Sequence, residues 1–213
     1  MRRFLAVSAL VLSLFFSHAA YAEEKLTEFS ASVVENDSGK TETNKIYVAH
    51  GMSRYEIKNG REIIITRYDK KVAWIIFPDY KKYVEEECPD SQPADPPEAE
   101  EGAFGDMTRK FIAYEEVDSY RLKKFLVSIK LPALKAKDKN AKEAEARRFE
   151  YYEWYRSGFP FPIKTASVQG ESTSEFTKLK LGPQNPSLFA KPQNYKQSTM
   201  EEIQSLESKK KKP

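Results

Sequence analysis

The fold is decided by residues 63–77, which read Ile63-Ile64-Ile65-Thr66-Arg67-Tyr68-Asp69-Lys70-Lys71-Val72-Ala73-Trp74-Ile75-Ile76-Phe77. Two runs of β-branched and aromatic residues flank a polar turn centred on Asp69-Lys70, which is typical of a β-hairpin. Both runs are apolar at nearly every position, whereas a strand with one solvent-exposed face alternates between apolar and polar residues. The hairpin therefore predicts a sheet that needs cover on both of its faces.

Further β-rich runs lie on both sides of this hairpin, separated by turn signals. Asn59-Gly60 is the strongest signal, because both residues tolerate the positive φ angles of a type I′ hairpin turn. The pattern predicts an antiparallel meander with strands at residues 27–35, 45–50, 52–58, 62–68, 72–77 and 80–85. Later strands are predicted at residues 111–117, 120–131, 149–155, 163–168 and 174–181.

The turns also predict which side chains share a face, because residues paired across an antiparallel ladder lie on the same side. We assume two-residue loops at His50-Gly51, Asn59-Gly60 and Asp69-Lys70. One face then carries a flexible methionine, a large tryptophan and two cations among aliphatic residues, and we predict that it is the concave, ligand-binding side. Its eight residues are Met52, Arg54, Ile63, Ile65, Arg67, Val72, Trp74 and Ile76. The opposite face carries Ile46, Val48, Ile57, Ile64 and Ile75, which suit fixed packing.

Cover for the two faces has to come from a small part of the chain. The sequence has no long amphipathic helix, so the sheet is expected to curl around an apolar cavity, bind a ligand or dimerise. A filled barrel or sandwich core without a ligand is the alternative, since aromatic runs more often belong to cores. Arg54 and Arg67 are either cavity cations or scaffold residues that pair with Glu56 and Asp69.

Residues 1–22 have the pattern of a secretory signal peptide. Arg2 and Arg3 precede an apolar run, and Ala20-Tyr21-Ala22 forms a small-x-small cleavage site. The apolar run of about 13 residues is shorter than the roughly 20 that span a bilayer. We predict cleavage after Ala22, a soluble periplasmic chain and a single domain at residues 23–198.

Two internal stretches have compositions that disfavour strands. Residues 87–106 combine prolines with acidic residues and predict a mobile loop. Residues 132–148 are rich in Ala, Lys and Glu and predict a charged, partly helical hairpin tip. In residues 199–213, Thr199 and Glu202 form a capping-box pattern, which predicts a short helix at residues 199–209 before a basic tail at residues 209–212.

The composition argues against catalysis and against nucleic-acid binding. The chain has 35 Lys and Arg against 32 Asp and Glu, so no strong positive charge favours nucleic acid. His50 is the one histidine outside the signal peptide and lies in a predicted surface turn, and Cys88 lies among carboxylates that disfavour its thiolate. The sequence has neither a Gly-x-Ser-x-Gly motif nor a phosphate-binding loop. We therefore expect no catalytic residues, no metal site and no cofactor.

Several motifs in combination resemble a known family. They are Lys45-Ile46-Tyr47-Val48, Met52-Ser53-Arg54-Tyr55-Glu56, the stretch 63–77, Tyr80-Lys81-Lys82-Tyr83-Val84-Glu85, Gly158-Phe159-Pro160-Phe161-Pro162, and Ser187-Leu188-Phe189 with Pro192 and Tyr195. Between residues 27 and 195 the chain resembles an uncharacterised periplasmic domain family of the LolA/LolB-like superfamily of outer-membrane lipoprotein-sorting carriers. The resemblance implies a mainly β fold, with a strongly curved antiparallel sheet or half-open barrel and few short helices over an apolar cavity.

Together these features predict an exported, non-enzymatic binding or carrier protein of the cell envelope. The expected ligand is a lipid, an acyl chain or an acylated protein, and the resemblance implies a lipoprotein or a membrane surface as partner. The alternative is a structural or protein-interaction module that uses one apolar sheet face. The sequence leaves the oligomeric state open.

Overall fold

The computed structural model describes residues 28–88, 102–104, 106–117, 120–131 and 147–210. This part of the chain is mainly β and contains thirteen strands and one helix. The mainly β fold class, with an antiparallel sheet, is thereby confirmed. The signal peptide at residues 1–22 and most of the predicted loop 87–106 and hairpin tip 132–148 lie outside the described residues.

The elements are numbered along the chain. The strands are β1 (Phe29–Asp37), β2 (Lys40–Ala49), β3 (Met52–Ile57), β4 (Glu62–Arg67), β5 (Val72–Phe77), β6 (Lys82–Glu87), β7 (Gly102–Phe104), β8 (Met107–Val117), β9 (Tyr120–Leu131), β10 (Arg147–Arg156), β11 (Pro162–Ser167), β12 (Ser172–Leu181) and β13 (Lys196–Gln197). Helix α1 follows at Met200–Lys210, and 3-10 turns lie at Tyr68–Lys70, Pro78–Tyr80 and Pro186–Phe189.

The predicted loop 87–106 is corrected at its two ends. Strand β6 continues through Glu87, and β7 lies inside the stretch predicted to be a loop. β7 forms because it pairs with the beginning of β8, where Phe104 lies opposite Met107. The ladder between β7 and β8 therefore overrides the unfavourable local composition.

These elements form two compact units. Unit 1 comprises Met1–Val33, Glu42–Asp95 and Thr177–Pro213, and unit 2 comprises Val34–Thr41 and Pro96–Phe176. In unit 1 the strand order is β13-β6-β5-β4-β3-β2-β1-β12, and in unit 2 it is β12-β11-β10-β9-β8-β7. Strands β1, β2 and β12 contribute residues to both units. Strands β2 to β6 pair antiparallel, whereas β13 pairs in parallel with β6. The single domain at residues 23–198 stays a prediction.

The register of β2 to β5 is the one that the turns predict, although two loops are longer than assumed. Four residues, not two, separate β3 from β4 and β4 from β5. Asn59 and Gly60 have φ angles of 58° and 82°, as a type I′ turn requires. Arg67 still pairs with Val72, which is the pairing that a loop centred on Asp69-Lys70 demands. In each of these loops, the two extra residues would have formed one more ladder pair. All the other pairs are those predicted, so the same side chains share each face of the sheet.

Helix α1 covers part of the sheet face opposite the predicted site. The Thr199 hydroxyl accepts a hydrogen bond from the Glu202 backbone N–H at 3.3 Å, so the predicted N-terminal cap is present. Ile203 is 1% exposed and packs against Phe77 and Val84 of β5 and β6. The helix ends at Lys210, one residue beyond the predicted end.

Replacing Ile203 by Ala should lower the free energy of unfolding by about 2–4 kcal/mol, because the buried side chain leaves a cavity. Urea unfolding followed by circular dichroism measures the change. Gln204→Ala, at the exposed neighbouring position, is the control and should change stability by no more than about 0.5 kcal/mol. Equal effects of the two substitutions would show that the helix does not pack on the sheet.

Candidate functional site

The structure brings the eight predicted site residues together on one face of unit 1. Cross-strand pairs join Met52 to Arg67, Arg54 to Ile65 and Ile65 to Trp74. Ile63 with Ile76 and Arg67 with Val72 complete the same side of β3, β4 and β5. We call the segment of residues 186–195 the strap and this surface the strap face, because the strap covers it. The ligand-binding role of the strap face stays a prediction.

The strap packs three apolar side chains onto the strap face. Phe189 is 0% exposed and lies in one cluster with Ile65 and Trp74, which are 1% and 5% exposed. Leu188 and Tyr195 pack against the edge of the same cluster. Full burial of such a side chain contributes about 1.5–3 kcal/mol. An irregular segment thus supplies on this face the cover that the sequence, without a long amphipathic helix, left unassigned.

The strap begins with a turn that is closed by its own hydrogen bonds. The Asn185 side-chain Oδ1 accepts from the Ser187 backbone N–H at 3.0 Å, and the Asn185 carbonyl accepts from the Leu188 N–H at 3.0 Å. The Ala190 N–H donates to the Ser187 carbonyl at 3.3 Å. Carbonyls at the C-terminal end of such a turn have no partner within it. The carbonyls of Leu188 and Phe189 are in this position.

Two arginines of the strap face supply the missing donors. Arg54 Nη1 donates to the Leu188 carbonyl at 3.0 Å, and Arg67 Nη1 donates to the Phe189 carbonyl at 3.2 Å. Arg54 is also paired with Glu56 at 2.8 Å, and Arg67 with Asp69 at 2.6 Å. The hydrogen bond from Arg67 lowers the pKa of the Asp69 carboxyl. The scaffold pairs that the sequence left open are thus present, and each arginine also holds the strap.

A lysine fixes the strap beyond Phe189. Lys191 Nζ lies 2.8 Å from Glu85 Oε2, which also accepts a 2.8 Å hydrogen bond from Trp74 Nε1. The ammonium lies 5.1 Å from the centre of the Tyr83 ring and 5.9 Å from that of Trp74, within cation–π range. The hydrogen bond from Lys191, followed by that from Trp74, lowers the pKa of Glu85.

The lowered pKa of Glu85 predicts that acid weakens the hold on the strap. A carboxyl with a lowered folded-state pKa adds stability above its unfolded pKa of about 4.3, and this stability is lost as the pH falls through the folded value. Acidification below about pH 4 should therefore change Trp74 emission in a Trp154→Phe background. Glu85→Gln keeps a hydrogen-bond acceptor for Trp74 and should remove this acid transition. An unchanged transition in that variant would assign it to another carboxyl.

Unit 2 contains a buried polar cluster that sequence reasoning missed. Arg109 on β8 and Glu153 on β10 form an ion pair with 3.0 Å between Nη2 and Oε2, and their side chains are 6% and 5% exposed. Tyr155 donates to Glu153 Oε2 at 3.0 Å, and Tyr151 donates to Oε1 at 3.2 Å. Arg109 also donates to the Tyr155 oxygen at 3.2 Å. The alternation of β10 places Tyr151, Glu153 and Tyr155 on one side, but their partner on β8 is remote in sequence.

The buried cluster is suited to holding strands in register. Its carboxylate accepts from one guanidinium and two hydroxyls, so the charges are satisfied within the cluster. Burial raises the pKa of both Tyr151 and Tyr155, which keeps them as neutral donors. Removing one member of such a pair leaves an uncompensated buried charge. The arrangement positions β8 against β10 rather than performing chemistry.

Arg109→Met should destabilise the protein by about 3–5 kcal/mol, because Glu153 is left as a buried charge. The double variant Arg109→Met/Glu153→Gln should recover a large part of this loss. Thermal and urea unfolding of the two single variants and of the double variant complete the cycle. Additive losses would contradict the coupling of the two side chains. Lys110→Met, the exposed neighbour, is the control.

Other candidate groups lie apart from these two sites. His50 is exposed in the turn between β2 and β3, as predicted. Cys88 is half-buried, with its thiol 3.8 Å from the Arg67 carbonyl. Within the described ranges, no three His, Cys, Asp or Glu side chains are grouped so that they could hold a metal ion. The same ranges contain no helix that is both long and apolar enough to cross a membrane.

Comparison with known proteins gives structural likeness only. No family model and no curated protein matches the chain. Similar solved structures are MucB in the Pseudomonas aeruginosa MucA/MucB complex (14% identity, 78% of this chain and 56% of that chain, TM-score 0.46) and MucB alone (14%, 90% and 65%, 0.48). The chain thus spans less than two thirds of these MucB chains. An outer membrane lipoprotein-sorting protein domain from Vibrio parahaemolyticus is also similar (8%, 76% and 88%, 0.31).

Proposed function

We propose that the chain is an exported, non-enzymatic binding protein of the cell envelope. Its signal peptide is cleaved after Ala22 and directs it to the periplasm, and its ligand is an apolar molecule that binds to the strap face. One observation carries the proposal: the strap face is covered by residues 186–195, which form no β-ladder with it. N-terminal sequencing of the exported protein tests the compartment, and retention of Met1 would contradict it.

The contacts of the strap define what an apolar ligand would meet. Phe189 fills the centre of the face, so a ligand that replaces it contacts Ile65, Trp74 and Ile76. Sites for such ligands are mostly apolar with a few well-placed polar groups. Arg54 and Arg67 are the polar groups here, and a lipid or acyl ligand would present its head group to them. In this proposal the strap occupies the site until the ligand displaces it.

Ile63 and Ile64 provide a matched test of the strap face. They are consecutive, of one residue type and both half-buried, but Ile63 lies on the strap face and Ile64 on the opposite face. Ile63→Asn should weaken binding of a fluorescent fatty acid to the delipidated mature chain by about tenfold, which corresponds to roughly 1.4 kcal/mol. Ile64→Asn should leave the affinity nearly unchanged. Titration of Trp74 emission in the Trp154→Phe background measures both.

Two outcomes would contradict a lipid or acyl ligand on the strap face. In the first outcome, neither the wild-type chain nor Phe189→Ala takes up the fatty acid. In the second outcome, the two asparagine variants lose affinity equally. Unfolding curves of both variants show whether a loss reflects the fold instead of the site. Organic extracts of the purified protein, examined by mass spectrometry, identify any co-purified lipid.

A second candidate function is a structural or protein-interaction module, and the end of the β8–β9 hairpin favours it. Tyr114 and Tyr120 are 50% and 46% exposed there. Arg121 stacks on the Tyr114 ring at 4.3 Å, and Arg156 stacks on the Tyr120 ring at 4.4 Å. Tyrosine and arginine are enriched at protein interfaces. A lipid-free dimer in sedimentation that Tyr120→Ser dissociates would support this candidate over the first.

A further inference from the structure

The strap is bound through its backbone as well as through its side chains. Arg54 and Arg67 donate to two consecutive carbonyls, those of Leu188 and Phe189. A polypeptide presents such an acceptor at every residue, whereas an acyl chain presents none along its length. The spacing of the two guanidinium groups therefore matches the repeat of a peptide backbone.

The side-chain contacts add a pattern to this backbone recognition. Phe189 is completely buried beside Ala49, Trp74 and Tyr83, and Leu188 packs at the edge of the cluster. Two residues after Phe189, the ammonium of Lys191 is held by the Glu85 carboxylate and by two aromatic rings. An apolar pair followed by a cation two residues later thus meets a complementary group at each position.

Most of the strap lies outside these contacts. Ser187, Ala190 and Gln193 are exposed, and the hydrogen bonds that close the turn run within residues 185–190. A segment of another chain with the same turn and side-chain pattern would already have the backbone conformation that the strap adopts. Such a preformed turn reduces the entropic cost of binding.

We infer that the ligand of the strap face is a polypeptide segment of a partner protein, carrying two adjacent apolar side chains and a cation two residues after the second. This inference rests on the proposed function and names the chemical class of its apolar ligand. Binding exchanges the partner's segment for the strap, so that Arg54, Arg67 and Glu85 hold the partner as they hold the strap.

The test measures binding of a labelled peptide with the sequence of residues 184–196 to the mature chain. In wild-type protein the tethered strap competes, and the apparent affinity falls with the fraction of open site. Phe189→Ala weakens the strap, so this variant should bind the peptide at least about tenfold more tightly than the wild type. The same peptide with alanine at the position of Phe189 is the control and should lose most of this binding.

A charge exchange tests the pattern independently of hydrophobicity. In the Phe189→Ala background, Glu85→Lys should weaken binding of the natural peptide by about tenfold through repulsion of its lysine. A peptide with glutamate in place of Lys191 should regain affinity for that Glu85→Lys protein. Circular dichroism confirms folding. If Phe189→Ala does not fold, Lys191→Ala, at an exposed position, loosens the strap and is used in its place.

The inference is overturned if the peptide does not bind to a folded strap variant, or if its alanine version binds equally well. Fatty-acid uptake on the strap face without peptide binding would overturn the inference and leave the proposed function standing. Failure of both probes would contradict the proposed function as well. A concentration-dependent dimer of the wild-type chain that the peptide dissociates would assign the segment to a second copy and overturn the partner protein as its source.

Discussion

Burial of Phe189 against Ile65 and Trp74 is the contact on which unit 1 depends. Strands β3 to β5 carry apolar side chains on both faces, so a stable sheet needs a cover on each side. Helix α1 covers part of one face through Ile203, and the strap covers the other. The two covers come from adjacent parts of the chain, which runs from the strap through β13 into the helix.

The sheet register was predictable because it depends on local turn chemistry. Asn59-Gly60 and Asp69-Lys70 define the centres of their hairpins, and the pairing of Arg67 with Val72 follows from them. The loop lengths were not predictable, since whether the last pair closes or opens into a 3-10 turn depends on small local energies. The eight residues of the strap face could therefore be placed on one side, whereas the residues that cover them could not be predicted.

The cover of the site and the buried cluster escaped prediction for a common reason. Leu188 and Phe189 lie in a segment without helical or strand periodicity, so nothing local indicates where they pack. Arg109 and Glu153 are separated by 44 residues, and a bulge in β8 between Phe111 and Ala113 shifts its alternation. Long-range contacts of irregular segments carry no periodic signal in the sequence. Arg54 and Arg67 were predictable in part. The sequence indicated their acidic partners two residues away, but it did not indicate the strap carbonyls to which they also donate.

The two units use charge in different ways. In unit 2 the Arg109–Glu153 pair is removed from water, where it is costly unless fully satisfied. On the strap face the ion pairs keep partial access to water, with Glu85 34% exposed at its side chain. Pairs of this kind contribute little stability and can be exchanged at low cost. The rigid cluster and the exchangeable contacts thus belong to different parts of the chain.

The short parallel pairing of β13 with β6 bears on aggregation. A sheet edge with unpaired backbone groups is a template for joining other chains. The Lys196 and Ser198 N–H groups donate to the carbonyls of Lys81 and Tyr83, so residues just after the strap occupy this edge. Beyond them β6 continues as Glu85-Glu86-Glu87, all exposed, whose like charges repel a second copy of the strand. If β13 leaves the edge together with the strap, the three glutamates still disfavour pairing of β6 with a second copy of itself.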